Sequence, residues 1–218
     1  MKKYTQEEYN AIERDSDGFK ICPTGDYSNI EHFEDNCDFE KECVFASDSK
    51  FGNCCIFGKQ CIFGIRCKFG RRCRFGIYCY FGYCNTFDGK CEFMYGCDFG
   101  NGCKFNESIF EDICVFGNCC TFSNCTISDN CNFGCYCEFT KGCKVEGNIE
   151  LLDLIKFEST AGGICTYFIK HSKGIYIRSG NFNGSIYEFR ELLSEEKYYD
   201  NNIAKILLTL ADLVELEK

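Results

Sequence analysis

Thirteen phenylalanines fall on an unbroken six-residue beat: Phe33, Phe39, Phe45, Phe51, Phe57, Phe63, Phe69, Phe75, Phe81, Phe87, Phe93, Phe99 and Phe105. Nearly every one has a small residue two places before it. A fixed short period of this kind specifies a solenoid, because each unit can bury its apolar face only against its neighbours. The unit is clearest in residues 55–78, CIFGKQ-CIFGIR-CKFGRR-CRFGIY, which reads Phe-Gly-x-x-Cys-x when started at the aromatic.

In a strand, residues i and i+2 share a side, so Cys-x-Phe is a short strand with both ends inward and the middle residue outward. The glycine after each Phe is expected to supply the unusual backbone of a corner. The beat slips twice by one residue: Phe105 is followed by Phe110, and Phe122 by Ile127. A deletion inside a strand would turn every later side chain to the wrong face, so both slips are expected at corners. Phe33 through Val145 gives twenty rungs, with weaker rungs expected at Leu151 and Phe157.

The Phe-Gly-x-x-Cys-x unit resembles the hexapeptide repeat of left-handed parallel β-helices, with Phe standing where that family prefers Leu, Ile or Val. The resemblance implies an all-β solenoid, a left-handed parallel β-helix of triangular, 18-residue coils with strands about 4.8 Å apart. The organisation expected is an N-terminal cap over 1–26, the β-helix over 27–157 and a small α+β C-terminal cap or oligomerisation segment over 158–218.

Twenty-two cysteines would ordinarily suggest a secreted disulfide framework. Their spacing argues for structural thiols instead. Sixteen occupy the small inward position (Cys37, Cys43, Cys55, Cys61, Cys67, Cys73, Cys79, Cys91, Cys97, Cys103, Cys114, Cys120, Cys125, Cys131, Cys137, Cys143), where Ser49, Asn85 and Ser108 substitute. Reduced cysteine packs there as a small hydrophobe, and in-register parallel side chains do not favour the disulfide torsion. Cys22, Cys54, Cys84, Cys119, Cys135 and Cys165 lie outside the register. They form no recurring CxxC pairs, so no metal site is assigned.

Many proteins with the resembling repeat are acyltransferases using a histidine at a subunit boundary, and one branch is a zinc carbonic anhydrase with three histidine ligands. Here the histidines are His32 and His171, expected at the solenoid entrance and in the C-terminal part, so neither constellation carries over. No Walker-type loop, GxSxG elbow or HExxH is present. The expectation is a protein without catalytic residues or a cofactor.

The outward residues therefore matter most. Taking every third rung, one face reads Val44, Ile62, Tyr80, Asp98, Val115, Asn132, flanked at its corners by Ile77, Tyr78 and Tyr95 and by Ile65 and Tyr83. Such a contiguous apolar patch marks an interface, with a second copy or with a foreign protein. A second face carries Lys50, Lys68, Thr86, Lys104, Thr121 and Glu138. Arg66, Lys68, Arg71, Arg72 and Arg74 are expected to belt one coil, as solvated charges or as contacts for phosphate or an acidic protein. The chain is acidic, with net charge −9, and Glu31, Glu34, Asp35, Asp38, Glu40 and Glu42 cluster at the first coil. That balance repels nucleic acid but suits a protein's basic channel.

At the ends, a short helix is expected from about Gln6. The tail offers two β-rich runs, a capping box at Ser185 and Glu188, and a final helix with an apolar stripe at Ile203, Leu207, Leu210 and Val214, with Ile206 and Leu213 beside it. No apolar run is long enough to span a bilayer and no leader opens the chain, so a soluble cytoplasmic protein without membrane contact is expected. The Cys-x-Phe-Gly repeats followed by Gly180, Phe182, Gly184 and Phe189 resemble uncharacterised phage and mobile-element proteins of low-GC bacteria. In those relatives a cysteine commonly stands where this chain has Asn181. That group carries no activity to transfer; taken with the rigid solenoid, the apolar face and the acidic balance, the resemblance leads to the expectation of a non-catalytic binding protein, one that blocks a host-defence nuclease or immune complex at its basic nucleic-acid site. The alternatives are a structural homo-oligomer, dimer or trimer, and a hexapeptide acyltransferase.

Overall fold

The computed structural model describes residues 1–128, 131–134, 137–139, 142–145, 149–158, 165–171, 174–179, 182–194 and 201–216. They form two compact units, Met1–Asn148 and Ile149–Lys218. The first is a parallel β-solenoid with three walls. Wall 1 runs from His32–Phe33 to Glu138–Phe139, wall 2 from Cys37–Phe39 to Lys144–Val145, and wall 3 from Val44–Phe45 to Asn132–Phe133. Each strand pairs in parallel with the one a full coil away: Phe45 lies opposite Phe63, Phe63 opposite Phe81, and Phe81 opposite Phe99.

This register converts the six-residue beat into three columns of stacked rings. Down wall 3, ring centroids from Phe45 to Phe133 are 4.9, 4.7, 4.7, 5.0 and 5.1 Å apart, with ring planes within 8° of parallel. Between columns the rings meet edge to face: Phe63 with Phe69 at 84°, Phe69 with Phe75 at 86°, and Phe75 with Phe81 at 80°, each pair 5.1 Å apart. Both arrangements satisfy the ring quadrupole and contribute about 0.5–1.5 kcal/mol per pair beyond burial. The columns are buried from Phe33 through Phe122 and half-buried at Phe133 and Phe139.

The small inward position is more than small. Its side chains donate hydrogen bonds: the Cys73 thiol to the carbonyls of Gly52 and Gly70 at 3.4 and 3.3 Å, and the Cys79 thiol to Gly58 at 3.4 Å. Asn85, which replaces cysteine, donates to Gly82 and Gly64 at 2.8 and 3.2 Å and accepts from the Cys67 N–H at 2.7 Å. The hydroxyl of Ser49 donates to Ala46 at 2.9 Å. All sixteen in-register cysteines are buried.

The corners differ from expectation. The residue after Phe keeps an ordinary φ, and the left-handed residue is the one just before the inward small residue. Among the described residues, fourteen that are not glycine adopt it, from Asn36 to Asn124, including the β-branched Ile113 at φ 61°. Such a conformation costs about 1–2 kcal/mol per residue. It is offset where the N–H reaches the next coil, as ten of these residues do, for example from Asp48 to Ile65 at 2.8 Å and from Arg66 to Tyr83 at 2.9 Å. The glycine after Phe is required by crowding: a Cβ on Gly82 would lie 2.8 Å from the carbonyl oxygen of Gly64 in the previous coil. Both one-residue slips fall in the corner after wall 1, one coil apart, so they stack. Asn106 pairs with Ser123, and the Glu107 N–H donates to Ser123 at 2.8 Å. Register is kept on every wall.

The solenoid begins earlier than residue 27. Strand Lys20–Cys22 pairs with Cys37–Phe39, placing Lys20 at a small inward position and Cys22 at an aromatic one, so Cys22 is in register after all. Lys20 is buried beneath helix α1 (Gln6–Asn10), with its ammonium 4.4 Å from the Tyr9 ring centroid, 3.3 Å from the Tyr9 carbonyl and 3.7 Å from Glu34. A Thr5–Glu8 capping box starts the helix. Tyr9 meets Phe33 edge-on, while Tyr27 stacks on Phe45 and Tyr4 on Tyr27, so the aromatic columns continue upward into the N-terminal segment.

The second unit is an antiparallel meander, Ile149–Glu158, Cys165–His171, Gly174–Ser179 and Phe182–Ser185, followed by helices α2 (Ile186–Ser194) and α3 (Asn201–Leu216). Instead of hexapeptide rungs at Leu151 and Phe157, residues 149–158 form one long strand, and the division falls before residue 149. A long strand with an antiparallel partner has no corner every six residues. The Ser185–Glu188 capping box opens α2, with the Ser185 N–H donating to the Glu188 carboxylate at 2.7 Å. Phe168, Ile177, Phe189, Leu193, Leu207 and Ala211 are buried together; Leu210 packs beside them and Ile206 is exposed. The side chains of Ile203, Leu213 and Val214, like residues Gly180 and Asn181, lie outside the described residues.

Phe69→Ala is expected to cost about 3–5 kcal/mol through the cavity left in a close-packed column, read from the shift in the urea unfolding midpoint. Ile113→Asn, which places a residue tolerant of left-handed backbone on an exposed corner, is expected to raise stability by about 1 kcal/mol in the same assay.

Candidate interaction surface

Wall 3 carries the outward column read from the sequence, Val44, Ile62, Tyr80, Asp98, Val115 and Asn132, in strict register. Ile62, Tyr80, Asp98 and Val115 are exposed, and Val44 is half-buried. Tyr78 and Tyr95 on the corner before the wall and Tyr83 on the corner after it are exposed, with Ile65 and Ile77 half-buried. Exposure of the large apolar side chains runs from 37% at Tyr95 to 54% at Tyr83, which leaves a face of each ring available while the rest is packed.

That packing uses glycine. The Tyr78 ring lies over Gly96 one coil on, where a Cβ would fall 2.5 Å from its ring, and the Tyr83 ring lies against Gly100 in the same way. Tyr78 and Tyr95 meet edge to face at 5.6 Å. Tyr78 and Tyr83 are thus laid on a backbone floor and held before any partner arrives, which reduces the ordering cost of binding. Partial desolvation against this wall raises the exposed Asp98 carboxyl above the usual carboxylate range.

Sequence reasoning missed one member of this patch, Ile113, and two exposed apolar residues on wall 2 and the corner after it, Ile109 and Met94. Ile113, Met94 and Ile109 are 43%, 46% and 49% exposed. Ile113 falls below Gly96 on the corner before wall 3, but the slip after Phe105 hides that alignment unless the deletion is first assigned to a corner. Met94 occupies a glycine position. With Ile56, Arg74, Glu92, Ile109 and Glu111 it lines a shallow depression of about 320 Å³ on wall 2.

The basic residues do not form a uniform belt. Arg66 grips Asp48 through two 2.8 Å contacts, and Arg74 lies 3.0 Å from Glu92. Lys68, Arg71 and Arg72, between them, are exposed and make no ion pair among the described residues. The acidic cluster is likewise divided. Glu34 binds Arg14 at 2.6 Å and Glu40 accepts from the Thr24 N–H at 3.0 Å, so these two hold the N-terminal segment in place, while Asp35 accepts from the Asn53 N–H of the next coil at 2.7 Å. Glu42 reaches Lys41 at 3.9 Å. Burial raises Asp38 above the usual carboxylate range, with Asp15 and Glu40 adding to the effect. Glu31 is exposed.

His32 stands in the first rung of wall 1, opposite Lys50, rather than outside the regular coils, and is exposed. His171 ends the strand Cys165–His171. No group of three or more metal-binding side chains that could hold an ion occurs among the described residues, and none of their helices is long and apolar enough to cross a membrane. All described cysteines are free thiols; Cys135 and the side chain of Cys165 lie outside them. Burial pushes the Cys67 thiol up to about 11. Cys84 and Cys119 are exposed on corners, and Cys54 is half-buried. No protein-family model, curated protein or solved structure matches the chain.

A thiol-reactive probe applied to the native chain at neutral pH is expected to modify Cys84 and Cys119 while leaving the sixteen inward cysteines untouched until denaturant is added, as read by peptide mass mapping. Rapid native labelling of Cys67 or Cys79 would contradict their burial.

Proposed function

We propose that this chain is a non-catalytic binding protein that engages another protein through wall 3. The observation that carries this reading is the contiguous exposed patch of Ile62, Tyr78, Tyr80, Tyr83, Tyr95 and Val115, in which Tyr78 and Tyr83 lie on glycine backbone. Preordered tyrosines with an apolar body and a polar tip are the residues that dominate protein interfaces. The narrower reading places the chain in the cytoplasm of a low-GC bacterium as a left-handed β-helix encoded by a phage or mobile element. There it occupies the basic nucleic-acid site of a host-defence nuclease or immune complex. The net charge of −9 and the repeat resemblance support that version.

The second reading is a homo-oligomer, dimer or trimer, joined through the same wall. The contiguous apolar patch favours it, because an isologous interface sets the same surface of each copy against the other. End-to-end stacking through the N-terminal edge is disfavoured: Tyr4 lies on Tyr27, Tyr9 on Phe33, and strand Lys20–Cys22 on wall 2.

Ile62→Asp combined with Tyr80→Asp is the discriminating variant. Solution mass, and capture from a low-GC bacterial lysate with and without nuclease treatment, are compared for it and the parent chain. A captured protein that survives nuclease treatment and is lost in the variant supports the binding reading. A defined oligomer that falls to monomer in the variant supports the second. Unchanged mass and unchanged capture refute the assignment of wall 3. An acyl-transfer activity abolished by His171→Ala would overturn the non-catalytic reading.

A further inference from the structure

We infer that wall 1 is a second interaction surface, separate from wall 3, that takes a carboxylate-rich protein segment. Lys50, Lys68 and Lys104 stand in one column of wall 1, in register through Thr86. Arg71, Arg72 and Lys90 stand on the corner that follows it, where the Arg72 N–H donates to Gly89 of the next coil. All six are exposed. Among the described residues none has a carboxylate within ion-pair distance, whereas Arg14, Arg66, Arg74 and Arg190 each have one. The nearby acids are few or already engaged: Asp88 and Glu107 lie on the same corner, Asp48 is held by Arg66, and Asp35 caps the Asn53 N–H.

The arrangement runs against stability. Like charges directly opposite one another in a sheet repel, and Lys50 is the register partner of Lys68, about 4.8 Å away along the wall. The same register elsewhere sets opposite charges one coil apart, Arg66 over Asp48 and Arg74 over Glu92. Wall 1 forgoes this pairing, and carboxylates from a partner would supply it. The charge of the whole chain selects the kind of partner. At −9 it repels an extended polyanion such as nucleic acid beyond the limits of the wall, while a short acidic peptide meets only the cations.

The test titrates the full chain into a fluorescent oligoglutamate peptide and, separately, into a single-stranded oligonucleotide of equal charge, by anisotropy at low and high salt. Binding of the peptide that weakens with salt is expected, reduced at least about tenfold by combined Lys68→Glu and Arg72→Glu and also reduced by the milder Lys68→Gln with Arg72→Gln. The variant with Ile62→Asp and Tyr80→Asp is expected to bind the peptide as the parent does, which separates this surface from wall 3. Thermal unfolding of each variant verifies the fold. No peptide binding, equal affinity in both Lys68/Arg72 variants, or tighter binding of the oligonucleotide through the same residues would each overturn the inference.

Discussion

Parallel in-register pairing between coils is the constraint on which the rest of this molecule depends. In each rung the outward residue donates to an inward carbonyl of the previous coil and the residue after the aromatic donates to the aromatic's carbonyl there, as Ile62 does to Cys43 and Gly64 to Phe45, so every position stacks on its counterpart one coil away. Inside, that rule favours a flat ring, because phenylalanines repeated at 4.7 Å gain from one another along the column and edge-on across it. It also favours a small side chain able to donate, because backbone carbonyls, often that of the residue after an aromatic in the previous coil, point at the inward small positions, as those of Glu34 at Cys55, Ala46 at Cys67 and Gly58 at Cys79. Cysteine, serine and asparagine all meet this need, which is why they interchange.

The same rule has the opposite sign on the outside. Repetition there concentrates whatever the outward residue is, so a wall becomes apolar, cationic or mixed as a whole. Wall 3 gathers tyrosines and aliphatics into one patch, and wall 1 gathers lysines that would be harmless if scattered. Pairs such as Arg74 with Glu92 show that alternating charge is compatible with the stack. The unrelieved columns are therefore the informative ones.

Much of this was legible in the sequence. A strict period names the inward residues, and dividing it by three names the walls, so the full column from Val44 to Asn132 follows before any coordinates. The slips could be placed at corners because a strand cannot lose one residue without inverting its faces. What was not legible is local. The role of glycine was misread because conformational freedom and absence of a Cβ give the same residue choice, and only the distance from Gly82 to Gly64 separates them. Lys20 and Cys22 escaped notice because neither resembles the residue whose place it takes. The pairing of Arg66 and Arg74 depends on neighbours one coil away, with Asp48 and Glu92 eighteen residues distant in opposite directions. The strand from Ile149 to Glu158 reads as weak rungs because alternation alone does not distinguish a two-residue rung from a long strand.

Three corners per coil also determine how such a chain can change length. Gain or loss of a complete coil returns every later residue to its own wall, so the tyrosine patch and the lysine column would lengthen or shorten and remain where they are. Gain of a single rung would rotate everything beyond it by one wall, setting lysines in line with tyrosines. The stacked deletions after Phe105 and Phe122 remove a residue from a corner and rotate nothing. For this architecture the unit of heritable variation that preserves a binding face is the coil, although the unit visible in the sequence is the rung.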